Sequence, residues 1–242
     1  MAIVKTYPNL GVLSGAAAEF FAEQACQAVE KRGRCNAVLA GGETPRAMYE
    51  LLARKPYSTS IPWEKIHVYW GDERCVPANH KLSNQFMARQ SLLDHVPIPE
   101  ENIHPIVYEN TPSLAAEEYE KVLRATFKGR LPQFDVVLLG LGDNGHTASL
   151  FPATDVLKIQ DHWVSHVYIA EQKLYRVTLT APILNQGATI MFMVAGSKKA
   201  QVIKAVIEGP RDSTRLPAQL IEPVNGQLFW LLDQEAAALL TI

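Results

Sequence analysis

The chain has few cysteines, no apolar run long enough to cross a membrane and no excess of either charge, and each shortage removes a class of protein. Its three cysteines, Cys26, Cys35 and Cys75, are an odd number without a C-x-x-C pair. That excludes a disulfide framework and a zinc knuckle, and it points to a reducing compartment, the cytoplasm. No stretch approaches the about 18 apolar residues that a membrane helix needs, and no basic patch followed by an apolar segment opens the chain as a secretion signal would. Lys plus Arg number 23 against 25 Asp plus Glu, a formal charge of −2. No field of that size gathers nucleic acid or an anionic membrane, so any anion must be bound locally. Internal repeats and low-complexity tracts are absent, and the histidines lack metal-ligand spacing, so no metal is expected. What remains is a chain of 242 residues, 48% hydrophobic and 20% charged. It is long enough to bury a substantial core, and one domain spanning 1–242 is expected.

Short apolar runs bounded by glycine or polar turns alternate with longer amphipathic stretches, the βαβ rhythm of a mostly parallel sheet. Strands are expected at 37–40, 66–70, 134–139, 163–168, 190–194 and 228–232. Helices are expected at 16–32, 45–54, 82–93, 113–127 and 198–207. In the first helix Ala18, Phe21, Ala25 and Ala28 recur at three- and four-residue spacing and form one apolar stripe. Pro45 stands where a helix begins, at a position that needs no amide hydrogen.

Polar clusters follow four of these strands, where open α/β sheets bind ligands. Gly41-Gly42-Glu43-Thr44-Pro45 is a tight turn whose amides, with the Thr44 hydroxyl, could cradle a phosphate, although a plain βα turn would look the same. Gly71-Asp72-Glu73-Arg74 sets two carboxylates and a guanidinium at a strand end, an expensive arrangement near a dry interior. Arg74 suits a phosphate, Asp72 could position water or a sugar hydroxyl, and a salt bridge capping the sheet is the plainer alternative. Residues 140–145 match G-x-G-x-x-G literally, and Asp161 lies near the expected acidic distance. The dinucleotide reading nevertheless fails: Pro152 arrives too soon after Gly145 for the helix that packs under a pyrophosphate. A glycine turn presenting His146 fits better, since imidazole can take a proton from water at neutral pH. After the strand at 190–194, Gly196-Ser197-Lys198-Lys199-Ala200 brings a lysine near a helix start, and physics alone does not separate Lys198 from Lys199. Cys75, beside Arg74, has no acid–base companion and reads as a buried small hydrophobe.

From about Asn36 onward these segments carry a joint signature. It consists of Gly41-Gly42-x-Thr44-Pro45; Asp72-Glu73-Arg74 followed by Val76-Pro77 and Ser83-Asn84; Gly145-His146-Thr147-Ala148-Ser149-Leu150-Phe151-Pro152; Arg176-Val177-Thr178-Leu179-Thr180; and Gly196-x-x-Lys199-Ala200. Together they resemble the 6-phosphogluconolactonase family, within the larger group that includes glucosamine-6-phosphate deaminase. The deaminase branch continues differently after the shared Gly-His, toward an Asn-Glu-Pro that supplies an acid; Ser149-Leu150-Phe151-Pro152 is the lactonase form. The resemblance implies an open, mostly parallel, Rossmann-like α/β sheet with helices on both faces. It implies hydrolysis of 6-phospho-D-glucono-1,5-lactone to 6-phosphogluconate in the oxidative pentose phosphate pathway, with no metal or organic cofactor.

By position, the resemblance makes His146 the base that activates water, with Asp72 and Asn144 in its catalytic surroundings. Arg74 and Lys199 hold the phosphate with Gly41, Gly42 and Thr44, and Gly145 shapes the binding turn. Two positions depart from the family: Glu43 replaces a Ser, and Asn144 replaces the Asp before Gly-His. Amides of the 140–145 turn are the natural candidates for oxyanion donors. Two other functions stay open at this point. In a deaminase Asp72 would abstract a carbon-bound proton; a weakly catalytic sugar-phosphate-binding protein is suggested by Asn144 and Glu43. The expected partner is a phosphorylated sugar lactone, with neither nucleic acid nor membrane, and the chain is expected as a monomer or homodimer.

Overall fold

The computed structural model describes residues 2–241. Its strands are β1 (Ile3–Tyr7), β2 (Cys35–Leu39), β3 (Ile66–Trp70), β4 (Asp72–Arg74), β5 (Ile103–His104), β6 (Phe134–Leu139), β7 (Val164–Ile169), β8 (Leu174–Leu179), β9 (Gly187–Val194) and β10 (Gln227–Asp233). Its helices are α1 (Leu10–Arg32), α2 (Glu43–Leu52), α3 (Tyr57–Ser60), α4 (Asn84–Ser91), α5 (Pro112–Thr126), α6 (Ala181–Leu184) and α7 (Ala200–Ile207).

Local chemistry sets the helix ends. The Asn9 side chain accepts from Val12 N and starts α1 six residues before the expected position, while Gly33 at φ 76° ends it just after Lys31 and Arg32. Ser83 caps α4 through Phe86 N, and Thr111 caps α5 with Pro112 next. α2 begins at Glu43 rather than Pro45, which takes the third position. Its missing N–H costs nothing there, because the first helical bond runs from Arg46 N to Gly42 O.

Seven strands form one sheet in the order β1-β10-β9-β6-β2-β3-β5, every pair parallel. Every residue of β2 and β6 is buried, as befits strands covered on both faces. From β2 the chain steps outward through β3 to β5; it then returns to β6 on the other side of β2 and steps outward again through β9 to β10. The crossing direction therefore reverses between β2 and β6. A crevice opens at their carboxyl ends, the usual ligand position in such sheets.

The remaining strands form a small antiparallel sheet, β4-β8-β7. This corrects the place of the strand expected at 163–168, which belongs here and not in the parallel layer. Gly71 is the junction: its N–H donates to Leu39 O in the large sheet, and its carbonyl accepts from Leu179 N in the small one. The polypeptide leaving β3 thus passes straight into β4 and stands beside the crevice. β1 carries no expected strand because only two of its five residues are even partly covered, so its sequence shows no apolar run.

Candidate active site

The crevice encloses about 550 Å³ out to its mouth and is lined from the ends of β2, β3 and β6 and by β4, β8 and the turn after β6. At the end of β2, the buried Tyr49 hydroxyl accepts from Ala40 N and donates to Ala40 O, tying α2 to the strand. Gly41 follows. A Cβ there would sit 1.8 Å from Asn84 Oδ1, so only glycine lets α4 approach. Gly42 at φ 109° turns the chain into α2.

Alternation along β4 separates its two carboxylates. Glu73 points away from the crevice and accepts from Arg74 N, Asn84 N, Gln85 N and the Ser83 hydroxyl, so it anchors the start of α4. Burial raises its pKa, opposed by those donors. Asp72 and Arg74 line the crevice. Asp72 accepts from Ser149 Oγ at 2.6 Å, Arg176 Nη1 at 3.3 Å and Asn84 Nδ2 at 3.3 Å, and all four residues are buried. Arg74 faces Arg176 in register across β4 and β8. Like charges opposite one another are unfavourable, and one buried carboxylate balances only one of them. The wall keeps a surplus positive charge, which an anion would settle.

His146 stands on the turn after β6. Gly142 N donates to His146 O and Gly145 N to Gly142 O. A Cβ on Gly142 would lie 2.0 Å from His146 Nδ1, so the glycine is where the ring rests. The other side is covered by Phe151, stacked at 3.9 Å between centroids. Asn144 Oδ1 is 2.6 Å from His146 Nδ1 and also accepts from His146 N at 3.2 Å. A backbone N–H can only donate, so the amide presents its oxygen, and Nδ1 must then carry the ring proton. Nε2 is left with its lone pair. Burial, then the neighbouring Arg176 guanidinium, push the imidazole down to about 4, so the ring is neutral at pH 7. Ala148, also on the crevice wall, is held at φ 46°, the kind of backbone strain that gathers at functional sites. No α-helix starts from the Gly145 turn, the next being α6 at Ala181, in accord with rejection of the dinucleotide motif.

The structure brings Gly41, Asp72, Arg74 and His146 to one wall, with Asn144 against the histidine. Gly42 and Thr44 sit behind Gly41 at the start of α2 and do not line the crevice. Gly145 serves the turn: at φ 80° its Cβ position meets Leu216 at 2.7 Å, and its carbonyl accepts from Ala218 N. Lys199 separates from Lys198 here. Its Nζ donates to Leu141 O at 2.8 Å and to the Asp143 carboxylate, whose pKa it lowers, whereas Lys198 is exposed. Cys75 is buried. The oxyanion expectation narrows, because two of the amides of the 140–145 turn, those of Gly142 and Gly145, are spent inside the turn. Arg176, Ser149 and Asn84 carried no expected role yet belong to the network. Their motifs were visible in the sequence, but the partners that give them work lie up to 104 residues away. Among the described residues no group of three or more His, Cys, Asp or Glu could hold a metal, and no helix is long and apolar enough to cross a membrane.

A parallel sheet with a neutral histidine and a surplus of guanidinium charge at its switch point defines an α/β enzyme that acts on an anionic substrate. The model of the family described as glucosamine-6-phosphate isomerases/6-phosphogluconolactonase matches residues 8–230. The 6-phosphogluconolactonase of Synechocystis sp. is 44% identical, over 87% of this chain and 86% of its own. That of Nostoc sp. is 38% identical over 99% and 98%. The solved 6-phosphogluconolactonase from Trypanosoma cruzi superposes with a TM-score of 0.88 at 27% identity, over 100% of this chain and 98% of that one. The chain belongs to the glucosamine-6-phosphate isomerase/6-phosphogluconolactonase family.

Proposed function

We propose that this chain hydrolyses 6-phospho-D-glucono-1,5-lactone to 6-phospho-D-gluconate in the oxidative pentose phosphate pathway, acting in the cytoplasm as a monomer or homodimer. The observation that carries the reading is His146, neutral and locked by Asn144 into the tautomer that leaves Nε2 free. A water proton passes to Nε2 as the water oxygen attacks the lactone carbonyl carbon. The tetrahedral oxyanion collapses, the bond from that carbon to the ring oxygen breaks, and the proton on Nε2 goes to the departing ring oxygen. The new carboxylic acid releases its own proton to water. Lactones of this kind also open unaided, so one positioned base and good orientation are a sufficient mechanism.

Arg74, on the same wall as Gly41, supplies charge for the phosphate together with Lys199. The deaminase chemistry is disfavoured by Asp72, whose oxygens are engaged by Ser149, Arg176 and Asn84 and which is therefore poorly free to take a proton from carbon. Acid release from 6-phosphogluconolactone tests the proposal. Turnover well above buffer is expected, unchanged after chelator treatment. Binding without turnover, ammonia release from glucosamine 6-phosphate, or loss on chelation restored by zinc would overturn it.

A further inference from the structure

Arg176 is the most expensive side chain in the site. Its side chain is 8% exposed, and taking such an ion out of water costs several kcal/mol unless its hydrogens are met. One terminal nitrogen donates to Asp72 Oδ2 at 3.3 Å and Ser149 Oγ at 3.5 Å, the other to Gln172 Oε1 at 2.5 Å. Nε has no partner. The same is true of Arg74 Nε, so both guanidiniums that line the crevice keep an unmet donor, as a wall built for an anion would.

The position of Arg176 says which anion it meets. The Arg176 guanidinium lies 5.3 Å from the centre of the Phe151 ring, and His146 is stacked on the same ring. Base and guanidinium thus both contact one ring and both line the crevice. Two of the glycine amides of the turn after β6, those of Gly142 and Gly145, are already used within it. A phosphate dianion here would also meet the Asp72 carboxylate, which already neutralises Arg176. A lactone carbonyl is neutral in the ground state and becomes an anion only as water adds, so the same donor strengthens where it lowers the barrier. Arg74, less buried and bonded to Leu82 O, is left for the phosphate.

We infer that Arg176 is a catalytic residue of this site, the donor that stabilises the oxyanion formed when His146 delivers water to the carbonyl, with Asp72, Ser149 and Gln172 holding it in position. The inference rests on the lactonase reading and deepens it. Steady-state kinetics of Arg176→Gln and Arg176→Lys, on 6-phosphogluconolactone and on plain gluconolactone, tests it. Arg176→Gln is expected to lower kcat by about 10²- to 10³-fold on both substrates with little change in KM, and Arg176→Lys to recover part of that. The acid limb of the Arg176→Gln pH profile should also move up, because a cation has left the imidazole's surroundings. Should Asp72, stripped of its partner, prevent folding, the double variant Asp72→Asn with Arg176→Gln removes both charges and carries the same expectation. A defect confined to KM for the phosphorylated lactone would make Arg176 a phosphate ligand and overturn the inference. Absence of turnover by the wild type would overturn the lactonase reading beneath it.

Discussion

Two histidines of this molecule are pushed down to about 4, and only one of them is placed to do chemistry. His104 lies on the edge strand β5, where burial, then the neighbouring His67 and Arg34, disfavour its charge. Its Nε2 is 3.2 Å from His67 Nδ1, and its ring is stacked on Tyr69 at 4.6 Å. His146 is shifted as far, again mainly by burial, but it is bonded through Nδ1 to a residue two positions away, which leaves Nε2 uncommitted at the switch point of the sheet. A depressed pKa therefore does not define a site. A free nitrogen over a crevice does.

His146→Ala sharpens that contrast most: kcat should fall by about 10²- to 10⁴-fold with little change in KM, the usual worth of a positioned base. His104→Ala should leave kcat alone and lower the melting temperature, since it removes packing against Tyr69. Equal kinetic defects in the two variants would break the comparison. Next in size, Arg74→Ala and Lys199→Ala should each raise KM for the phosphorylated lactone about 10- to 100-fold, the worth of a charge-assisted hydrogen bond, and erase the preference over plain gluconolactone. The exposed Lys198, changed to alanine, should do neither.

The two carboxylates of β4 repeat the contrast on a smaller scale. Glu73→Gln places amide hydrogens among donors, so it should cost about 1–3 kcal/mol of stability, read as a lower midpoint of urea unfolding, with a milder effect on turnover. The smallest effect belongs to Asn144→Asp. A carboxylate keeps the acceptor and adds a negative charge beside Nδ1, so the kinetic pKa of His146 should rise, and kcat modestly with it. An unmoved pKa would contradict the contact between residues 144 and 146.

Features that depend on neighbours in the chain were legible beforehand. The glycine-bounded strand ends, the charged cluster Asp72-Glu73-Arg74 at one of them and the His146 turn all announce themselves within a few residues. Features made by distant partners were not. The role of Arg176 needs Asp72, 104 positions away, and Ser149, 27 away. Which carboxylate of Asp72-Glu73 faces the crevice depends on the strand at 174–179, which carried no expectation. The strand at 163–168 was visible as a strand, but its sheet was not, because an antiparallel pairing with β8 leaves no mark on β7 itself. The three-residue β4 is too short for any periodicity, and helix starts shifted wherever a side-chain cap such as Asn9 decided them.

The central claim is that a neutral His146, with its proton fixed on Nδ1, is the base for lactone hydrolysis. The pH dependence of kcat/KM for 6-phosphogluconolactone, in the wild type and in His146→Ala, tests it most directly. An imidazole depressed in the folded protein is protonated only at acid pH, so the wild-type activity should stay level through neutrality and fall on the acid side with a midpoint near 4. In His146→Ala that limb should vanish along with most of the rate above buffer. A limb of the same midpoint and height in both proteins would contradict the account.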